Sequence, residues 1–381
     1  MGSAVDRVSG LRAGGDRPAV VAGRPSERRQ RVEYLDGIRG LAIGGVLAVH
    51  WVGSWFPLGL GGYLGVDLFF VLSGYIISTM LWRGRTQGKS VVAQYRTFLW
   101  RRVVRLYPAL LAMVLGTITI YALLPNARGR VPDLLAPAFL ALVQGSAFSV
   151  ARGHASPFEL TWSLSIEWMF YLVWPLAIVV ARRAGLGARQ VATAVAITAG
   201  AFYLVALFQS PNWFYFGPLA RIPEILIGGA LALSVVESTS FPPLRRPRMA
   251  MGTACLLLAA SVEYVLAGPG VHSVLYRWFG LPLAVCTGLY LIWLGLRAEN
   301  GLIKWLSWKP LTLLGRASYS IYLWNFAGFN LFVRPNVVEP PLVIALAVAL
   351  GAGMAAVSYR FVELPFMRSE RFALVPQRRG Q

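Results

Sequence analysis

Long apolar stretches separated by short polar connections dominate the pattern of this chain. An apolar stretch of about 18 residues or more with few charges is long enough to cross the hydrocarbon core of a bilayer as an α-helix. Ten stretches of this kind predict membrane-spanning helices at residues 35–53, 62–82, 106–124, 162–181, 189–208, 215–236, 249–267, 274–296, 315–333 and 341–362. The predicted fold is therefore an all-α, polytopic bundle of about ten membrane helices.

The distribution of basic residues predicts the orientation of this bundle. With ten spans, 27 Lys and Arg residues fall in the tails and connections on one side of the membrane, and four fall on the other. Because basic residues accumulate on the cytoplasmic side of membrane proteins, both termini are predicted to be cytoplasmic. An eleventh apolar run, 131–149, is broken by two prolines and would disturb this charge pattern if it crossed the membrane. We therefore predict that it is re-entrant or interfacial.

The chain divides into a membrane domain and two tails. Residues 1–33 are rich in Arg, Gly and Pro and lack periodicity, which predicts a disordered cytoplasmic tail. A cleaved signal peptide is disfavoured because no small-residue cleavage motif follows the first apolar run. Residues 34–366 form the predicted transmembrane domain, and residues 367–381 form a second cytoplasmic tail.

Composition supports a membrane protein and excludes several other classes. Hydrophobic residues make up 56% of the chain and charged residues 14%, which is not the composition of a soluble domain. The net charge of +20 is spread over many connections and not gathered on one basic face, so we predict a lipid bilayer and no nucleic acid as partner. Both cysteines lie inside apolar runs, so no disulfide framework is implied, and no metal cofactor is predicted.

Several predicted spans carry ionisable side chains, which are costly in hydrocarbon and normally mark a functional site. The first span holds Arg39 and His50, and the second holds Asp67 and Ser73. Arg39 and His50 are separated by about 16 Å of helical rise, roughly half the thickness of a bilayer core. The topology places Arg39 in the inner half of the membrane, and His50, Asp67 and Glu167 in the outer half. Both halves contain both signs of charge, which indicates paired groups around a polar passage.

Six motifs follow one another over about residues 33–366. They are Leu35-Asp-Gly-Ile-Arg-Gly-Leu-Ala42, Gly65-Val-Asp-Leu-Phe-Phe-Val-Leu-Ser-Gly-Tyr75, Phe98-Leu-Trp-Arg-Arg-Val-Val-Arg-Leu-Tyr-Pro108, Trp162-Ser-Leu-Ser-Ile-Glu-Trp168, Ser318-Tyr-Ser-Ile-Tyr-Leu-Trp324 and Tyr359-Arg-Phe-Val-Glu-Leu-Pro365. In this order they resemble the acyltransferase-3 family of integral-membrane O-acyltransferases. The resemblance implies a protein of the bacterial cytoplasmic membrane that moves an acyl group from acyl-CoA or acetyl-CoA to a hydroxyl.

The same resemblance implies roles for individual residues and for the acceptor. His50 matches the catalytic histidine of the family, and Arg39 matches the basic residue paired with it. Many members carry histidine after the Tyr-Leu-Trp run, where this chain has Asn325, so this position retains hydrogen bonding and loses proton transfer. The short chain is most similar to the branch that acylates macrolides and related natural products. Acylation of a cell-surface polysaccharide or glycolipid is the alternative.

The chemistry of acyl transfer agrees with a catalytic His50. A hydroxyl loses a proton as it attacks a thioester, and imidazole is the side chain best suited to accept a proton near neutral pH. Asp67 or Glu167 is predicted to orient the imidazole ring, as a carboxylate does in a catalytic triad. Alternatively, each carboxylate pairs with Arg221 or Arg277 and fastens two helices together.

Several arginines indicate where the donor binds, because a guanidinium group can form two parallel hydrogen bonds to the oxygens of a phosphate. Arg102 and Arg105 are predicted to bind the phosphates of CoA, and Arg39 and Arg316 to contact the donor deeper in the membrane. Alternatively, the basic segment at residues 101–105 is predicted to anchor the chain to anionic lipid, and this interpretation is preferred for Arg101. The residues predicted to contact the acceptor are Trp162, Arg221 and Asn325.

Two further hypotheses belong to other classes of mechanism. A transporter or flippase would relay protons through His50, Asp67 and Glu167, although no inverted repeat is evident. A covalent route through Ser73 would need a base within hydrogen-bond reach, and close helix packing by Ser73 and Gly74 is preferred. The sequence leaves the oligomeric state open, and a homo-oligomer is compatible with it.

Overall fold

The computed structural model describes residues 25–52, 62, 64–84, 90–125, 128–237, 274, 276–297, 301–332 and 341–368. These ranges contain helices, turns and bends and no strand, which confirms the predicted all-α class. The α-helices, numbered in chain order, are α1 (Pro25–Val52), α2 (Leu64–Arg83), α3 (Val91–Leu123), α4 (Val131–Leu142), α5 (Ser146–Ala151), α6 (Trp162–Arg183), α7 (Ala188–Ala206), α8 (Pro211–Phe216), α9 (Pro218–Val236), α10 (Leu281–Arg297), α11 (Gly301–Leu306), α12 (Lys309–Phe332), α13 (Pro341–Val357) and α14 (Leu364–Arg368). Short 3-10 segments cover Arg128–Arg130 and Glu159–Thr161, and π-helical segments cover Tyr276–Gly280 and Ser358–Glu363.

Seven helical segments of the described chain are long and apolar enough to cross a membrane. They are Leu64–Arg83, Val91–Leu123, Glu159–Arg183, Ala188–Ala206, Pro211–Val236, Tyr276–Leu296 and Leu342–Met367, and they coincide with seven of the ten predicted spans. Helices α1 and α12 cover two more predicted spans, and the span at 249–267 lies outside the described residues. The protein is therefore an integral membrane protein with a polytopic helix bundle, and the number of ten spans stays a prediction.

The N-terminal boundary of the bundle differs from the sequence prediction. Helix α1 begins at Pro25, so residues 25–33 belong to a helix and not to the predicted disordered tail. This segment lacks an apolar face, but its Glu, Arg and Gln residues are good helix formers, and proline fits the first turn of a helix. Residues 1–24 and 369–381, which make up most of the two predicted tails, lie outside the described residues.

The broken apolar run at 131–149 forms two short helices. Helix α4 has 12 residues, or about 18 Å of rise, whereas the hydrocarbon core is about 30 Å thick. It ends before Gln144, which has a positive φ of 60°, and α5 contains only six residues. The Tyr107 hydroxyl of α3 donates a hydrogen bond to the Leu142 carbonyl at 2.9 Å and holds the end of α4. The run therefore does not cross the membrane as one helix, in agreement with the prediction from charge.

The most extensive helix contacts join α2 to α9, α1 to α12, α7 to α9 and α12 to α13. Helices α2 and α9 approach each other closely at two glycines. A Cβ atom at Gly74 would lie 1.8 Å from the Ile225 carbonyl oxygen, and one at Gly228 would lie 2.0 Å from the Val71 carbonyl oxygen. Small residues permit such close approach in membrane bundles. The crossing fixes α2, and with it Asp67 and Ser73, against the centre of the bundle.

Candidate active site

His50 lies near the C-terminal end of α1 and is partly buried. Its Nδ1 atom is 2.7 Å from Oδ1 of Asn325 on α12. Asn325 is buried, and its Nδ2 atom donates a hydrogen bond to the Tyr322 carbonyl at 2.6 Å. Because α1 and α12 pack along each other, an imidazole and an amide that are 275 positions apart in the sequence form a direct pair.

An amide, and not a carboxylate, therefore stands at Nδ1 of His50. The predicted contact of Asp67 or Glu167 with the ring is not found at this atom. The physical reason is that both carboxylates are held by other partners, as described below. Asn325, whose contact with the acceptor stays a prediction, has this histidine as a partner.

Asp67 belongs to a fully buried ion cluster. Nη1 of Arg221 donates to Asp67 Oδ1 at 2.8 Å and to Glu224 Oε1 at 2.7 Å, and all three side chains are inaccessible to solvent. The Tyr276 hydroxyl donates to Asp67 Oδ2 at 3.1 Å. The guanidinium of Arg221 also lies 4.2 Å from the ring centroid of Tyr215. This cluster fastens α2 to α9, as the alternative for Asp67 predicted.

Glu167 of α6 accepts two short hydrogen bonds, one from α2 and one from within α6. Ser73 Oγ donates to Glu167 Oε1 at 2.7 Å, and the Tyr171 hydroxyl donates to Oε2 at 2.6 Å. The predicted alternative partner, Arg277, instead donates from Nη1 to the Leu207 carbonyl at 2.7 Å. Glu167 is also held by Tyr171, and the neighbouring Gly74 lies where α2 and α9 cross closely. We therefore assign the Ser73 contact to helix pairing and not to a covalent route.

A cavity with an empty volume of about 850 Å³ lies among α1, α2, α3, α6 and α12, and part of this volume is open to solvent. Apolar side chains of α2 form much of its wall, including Phe69, Phe70 and Ile76. The ionisable side chains that line the cavity, apart from tyrosines, are Arg39, Arg102, Arg105 and Glu167. Guanidinium groups therefore outnumber carboxylates among its described lining residues, and the cavity suits an anion that carries an apolar or neutral arm.

Tyr171 fixes two of the charged groups in this cavity. Its ring centroid lies 5.3 Å from the guanidinium carbon of Arg102, and the Phe98 ring lies at 5.2 Å from the same atom. Its hydroxyl holds Glu167. Arg102 is thus buried beside two aromatic rings that also contact each other. The prediction that Arg39, Arg102 and Arg105 face one site agrees with this geometry.

Arg316 lies elsewhere. Its Nε atom donates to Asp36 Oδ2 at 3.0 Å, and its side chain is 42% exposed. It is absent from the described residues that line the cavity, so its predicted contact with the donor receives no support. Asp36 lies one helical turn before Arg39 on α1. The structure pairs Asp36 with Arg316 because α1 and α12 are adjacent.

Trp162 and Arg221, predicted to contact the acceptor, are core residues. Trp162 packs edge-on against Phe70 and Phe216, with ring centroids 6.1 Å and 5.3 Å away. Arg221 is enclosed by the ion cluster. Neither lines the cavity in the part of the chain that the structure describes, so an acceptor could reach them only after rearrangement of the core.

Tyr322 links the cavity to His50. Its side chain lines the cavity, while its hydroxyl lies 2.7 Å from Ser163 Oγ and donates to the Leu160 carbonyl at 2.9 Å. Its own carbonyl accepts the hydrogen bond from Asn325. His50 is not among the described residues that line the cavity; it lies beyond Asn325. Sequence analysis singled out neither Tyr171 nor Tyr322, although Tyr322 lies inside the Ser318–Trp324 motif.

Most of the chain matches a known protein family. Residues 32–360 match the family model of the acyltransferase domain known as acyltransferase-3. This chain belongs to the acyltransferase-3 family. No solved structure matches the chain.

Curated relatives of this acyltransferase-3 chain are bacterial proteins. The peptidoglycan O-acetyltransferase OatA of Listeria monocytogenes is 30% identical over 370 residues, which cover 90% of this chain and 56% of that protein. The O-acetyltransferase OatA of Staphylococcus aureus is 28% identical over 375 residues, which cover 91% of this chain and 59% of that protein. The chain thus spans little more than half the length of these relatives.

The names of these relatives bear on the predicted acceptor. Both relatives are named as O-acetyltransferases, and the Listeria protein is named for peptidoglycan, which is a sugar polymer. Neither is named for a macrolide. The macrolide branch, which the sequence analysis preferred because the chain is short, therefore receives no support from them, and the polysaccharide alternative does.

Proposed function

We propose that this chain transfers an acetyl or another short acyl group from acyl-CoA to a hydroxyl of a cell-surface polysaccharide. Membership of the acyltransferase-3 family and the names of the relatives support the reaction type and the acceptor class. The observation that carries the proposal is the cavity, which is lined by three guanidinium groups and by Tyr322, whose carbonyl holds the Asn325 partner of His50.

The cavity matches the chemistry of the proposed donor. Coenzyme A carries several phosphate groups at one end and a neutral, flexible arm that ends in the thioester at the other. Arg39, Arg102 and Arg105 would bind the phosphates, because guanidinium is always charged and fits phosphate oxygens bidentately. The apolar wall of α2 would receive the arm. Because Arg39 and His50 lie on one helix, about 16 Å apart along its axis, the arm would lead from the phosphates towards the histidine.

His50 would act as the general base in the transfer. The acceptor hydroxyl gives its proton to the imidazole while its oxygen attacks the carbonyl carbon of the thioester. The carbon–sulfur bond then breaks, and the leaving thiolate takes the proton back from the imidazolium. The products are an ester on the sugar and free CoA. General base catalysis of this kind typically contributes about 10²- to 10⁴-fold to the rate.

The location of His50 also fits an acceptor outside the cell. The charge distribution predicts that His50 lies in the outer half of the membrane and that the part of α3 with Arg102 and Arg105 lies towards the cytoplasmic side. A cytoplasmic donor and an external sugar polymer would then meet from opposite sides. Peptidoglycan is the first candidate acceptor, because a relative is named for it.

The proposal is tested with purified full-length protein in proteoliposomes. Acetyl-CoA is added on one side, and soluble peptidoglycan fragments or a macrolide on the other; acceptor mass and CoA release are then measured. We expect glycan fragments to gain one acetyl group for each CoA released, with no gain on the macrolide. Movement of acceptor or protons without release of CoA would instead support the transporter hypothesis and refute the proposal.

A further inference from the structure

We propose that Asn325 is a positioning residue that holds His50 as the Nδ1–H tautomer, so that Nε2 is the basic atom of the ring. The tautomer follows from hydrogen-bond geometry alone. Its catalytic meaning rests on the proposed function, in which His50 accepts the proton of the acceptor hydroxyl.

The orientation of the Asn325 amide is decided by Tyr322. A carboxamide offers a donor at nitrogen and an acceptor at oxygen. Nδ2 lies 2.6 Å from the Tyr322 carbonyl oxygen, which can only accept a hydrogen bond. If the amide were reversed, two acceptor oxygens would face each other at hydrogen-bond distance. The nitrogen therefore faces Tyr322, and Oδ1 faces His50.

The protonation of the His50 ring follows from this orientation. Nδ1 is 2.7 Å from Oδ1 of Asn325, and an amide oxygen accepts hydrogen bonds and donates none. Nδ1 must therefore carry the proton. In a neutral imidazole only one ring nitrogen is protonated, so the lone pair lies on Nε2.

The surroundings make this arrangement rigid. Asn325 is buried, with 1% of its surface exposed. Tyr322 lies on the same helix, and its hydroxyl bonds to Ser163 and to the Leu160 carbonyl. A site is precise when such a second layer of contacts fixes its side chains. An amide differs from the carboxylate of a catalytic triad because it orients the ring without adding a buried charge.

Nitrogen-15 NMR of histidine-labelled full-length protein measures the tautomer directly, at a pH where the ring is neutral. The chain has three histidines, His50, His154 and His272, and loss of a signal in His50→Gln assigns the spectrum. We expect wild-type His50 to show a protonated Nδ1 and an unprotonated Nε2. In Asn325→Leu the new side chain has nearly the same shape but no hydrogen-bond acceptor, so the population of the Nε2–H tautomer should increase. In Asn325→Asp the carboxylate still accepts, so the Nδ1–H tautomer should persist.

Kinetics provide the second readout. Asn325→Leu should lower kcat by about 100-fold or more, as is usual when a catalytic histidine takes the wrong tautomer, while KM for acetyl-CoA stays unchanged. Asn212→Leu, which removes a partly buried amide from α8, serves as the control and should keep wild-type kcat.

The outcomes separate this inference from the proposed function. A wild-type spectrum with a protonated Nε2, or a spectrum unchanged by Asn325→Leu, overturns the inference even if acetyl transfer is observed. Absence of acetyl transfer by the wild-type protein overturns the proposed function, while the spectrum still decides the tautomer. A fall in kcat that merely follows a loss of folded protein, with the tautomer unchanged, would show a structural role and also overturn the inference.

Discussion

At the scale of single residues, two ion pairs of similar length differ in how deeply they are buried. Arg221 and Asp67 are 2.8 Å apart and fully buried, whereas Arg316 and Asp36 are 3.0 Å apart and partly exposed. Water screens an exposed pair and can replace a lost partner. A buried charge that loses its partner stays unsolvated, so removal of one member costs far more.

The first prediction compares two arginine variants. Arg221→Met leaves Asp67 and Glu224 buried without their shared guanidinium and should lower the free energy of unfolding by about 3–5 kcal/mol. Arg316→Met should lower it by less than about 1 kcal/mol. Denaturant unfolding of both variants in one detergent measures the difference. Equal losses would contradict a structural role for the buried cluster.

The second prediction concerns Tyr171, which orders the charges in the cavity. Tyr171→Phe keeps the ring beside Arg102 but removes the hydrogen bond to Glu167. The carboxylate then keeps only the hydrogen bond from Ser73 and can compete with phosphates for the guanidinium groups. A hydrogen bond to a charged group is worth about 1.5–3 kcal/mol, so the Kd for CoA should rise about tenfold or more.

Titration calorimetry of the purified variant measures this Kd. Tyr95→Phe is the matched control, because its hydroxyl bonds to the Leu172 carbonyl outside the cavity and its loss should leave the Kd unchanged. An unchanged Kd in Tyr171→Phe would show that Glu167 does not modulate the anion site.

The partners of the charged residues could be predicted only in part from the sequence. Because ionisable side chains are costly in hydrocarbon, the sequence correctly indicated that His50, Asp67 and Glu167 have polar partners. The pairing of Asp67 with Arg221 was one of the predicted alternatives. The choice of Asn325 for His50 depends on the rotation of α1 against α12. Hydropathy fixes which segments form helices but not which faces of two helices meet.

At the scale of helices, close crossing of α2 and α9 holds the cavity wall in place. The two backbones approach so closely at Gly74 that no side chain fits between them, because an added Cβ would overlap the Ile225 carbonyl. Most helix positions were predictable, since length and hydropathy alone decide them. The early start of α1 was not, because its first turns carry no apolar stripe, on which the prediction relied.

The third prediction tests this crossing. Gly74→Ala should force α2 and α9 apart and lower the unfolding free energy by about 1–3 kcal/mol, the usual cost of overpacking. Gly200→Ala on α7 is the control, because an added Cβ meets no atom within 4 Å and alanine favours the helix. Thermal unfolding in detergent should place the first variant below wild type and the second at or above it. The reverse order would contradict the packing argument.

At the scale of the whole molecule, the proposed reaction requires a defined orientation in the membrane. Charge predicts cytoplasmic termini, which places the connection between α5 and α6 outside the cell and the connection between α6 and α7 inside. The sequence predicted this orientation, the all-α class and the membrane location together, because they depend on composition summed over long segments. The identity of the acceptor could not be predicted in this way, because it depends on the shape of a binding surface and not on the composition of long segments.

The fourth prediction tests the orientation. Ala155→Cys and Ala184→Cys place single thiols in these two exposed connections, in a variant whose native Cys255 and Cys286 are replaced by alanine. A membrane-impermeant maleimide should label Ala155→Cys in intact cells and label Ala184→Cys only after permeabilisation. The opposite labelling pattern would place the cavity lined by Arg39, Arg102 and Arg105 on the wrong side of the membrane for a cytoplasmic donor.

Two histidine variants compared in the acetyl-transfer assay show whether His50 is the base. His154 is the control, because it is exposed and its ring contacts the Ser149 carbonyl away from the cavity. His50→Gln should bind CoA as the wild type does but transfer acetyl groups at least about 100-fold more slowly, because the general base is lost. His154→Gln should keep wild-type turnover. Wild-type turnover by His50→Gln would show that His50 is not the base.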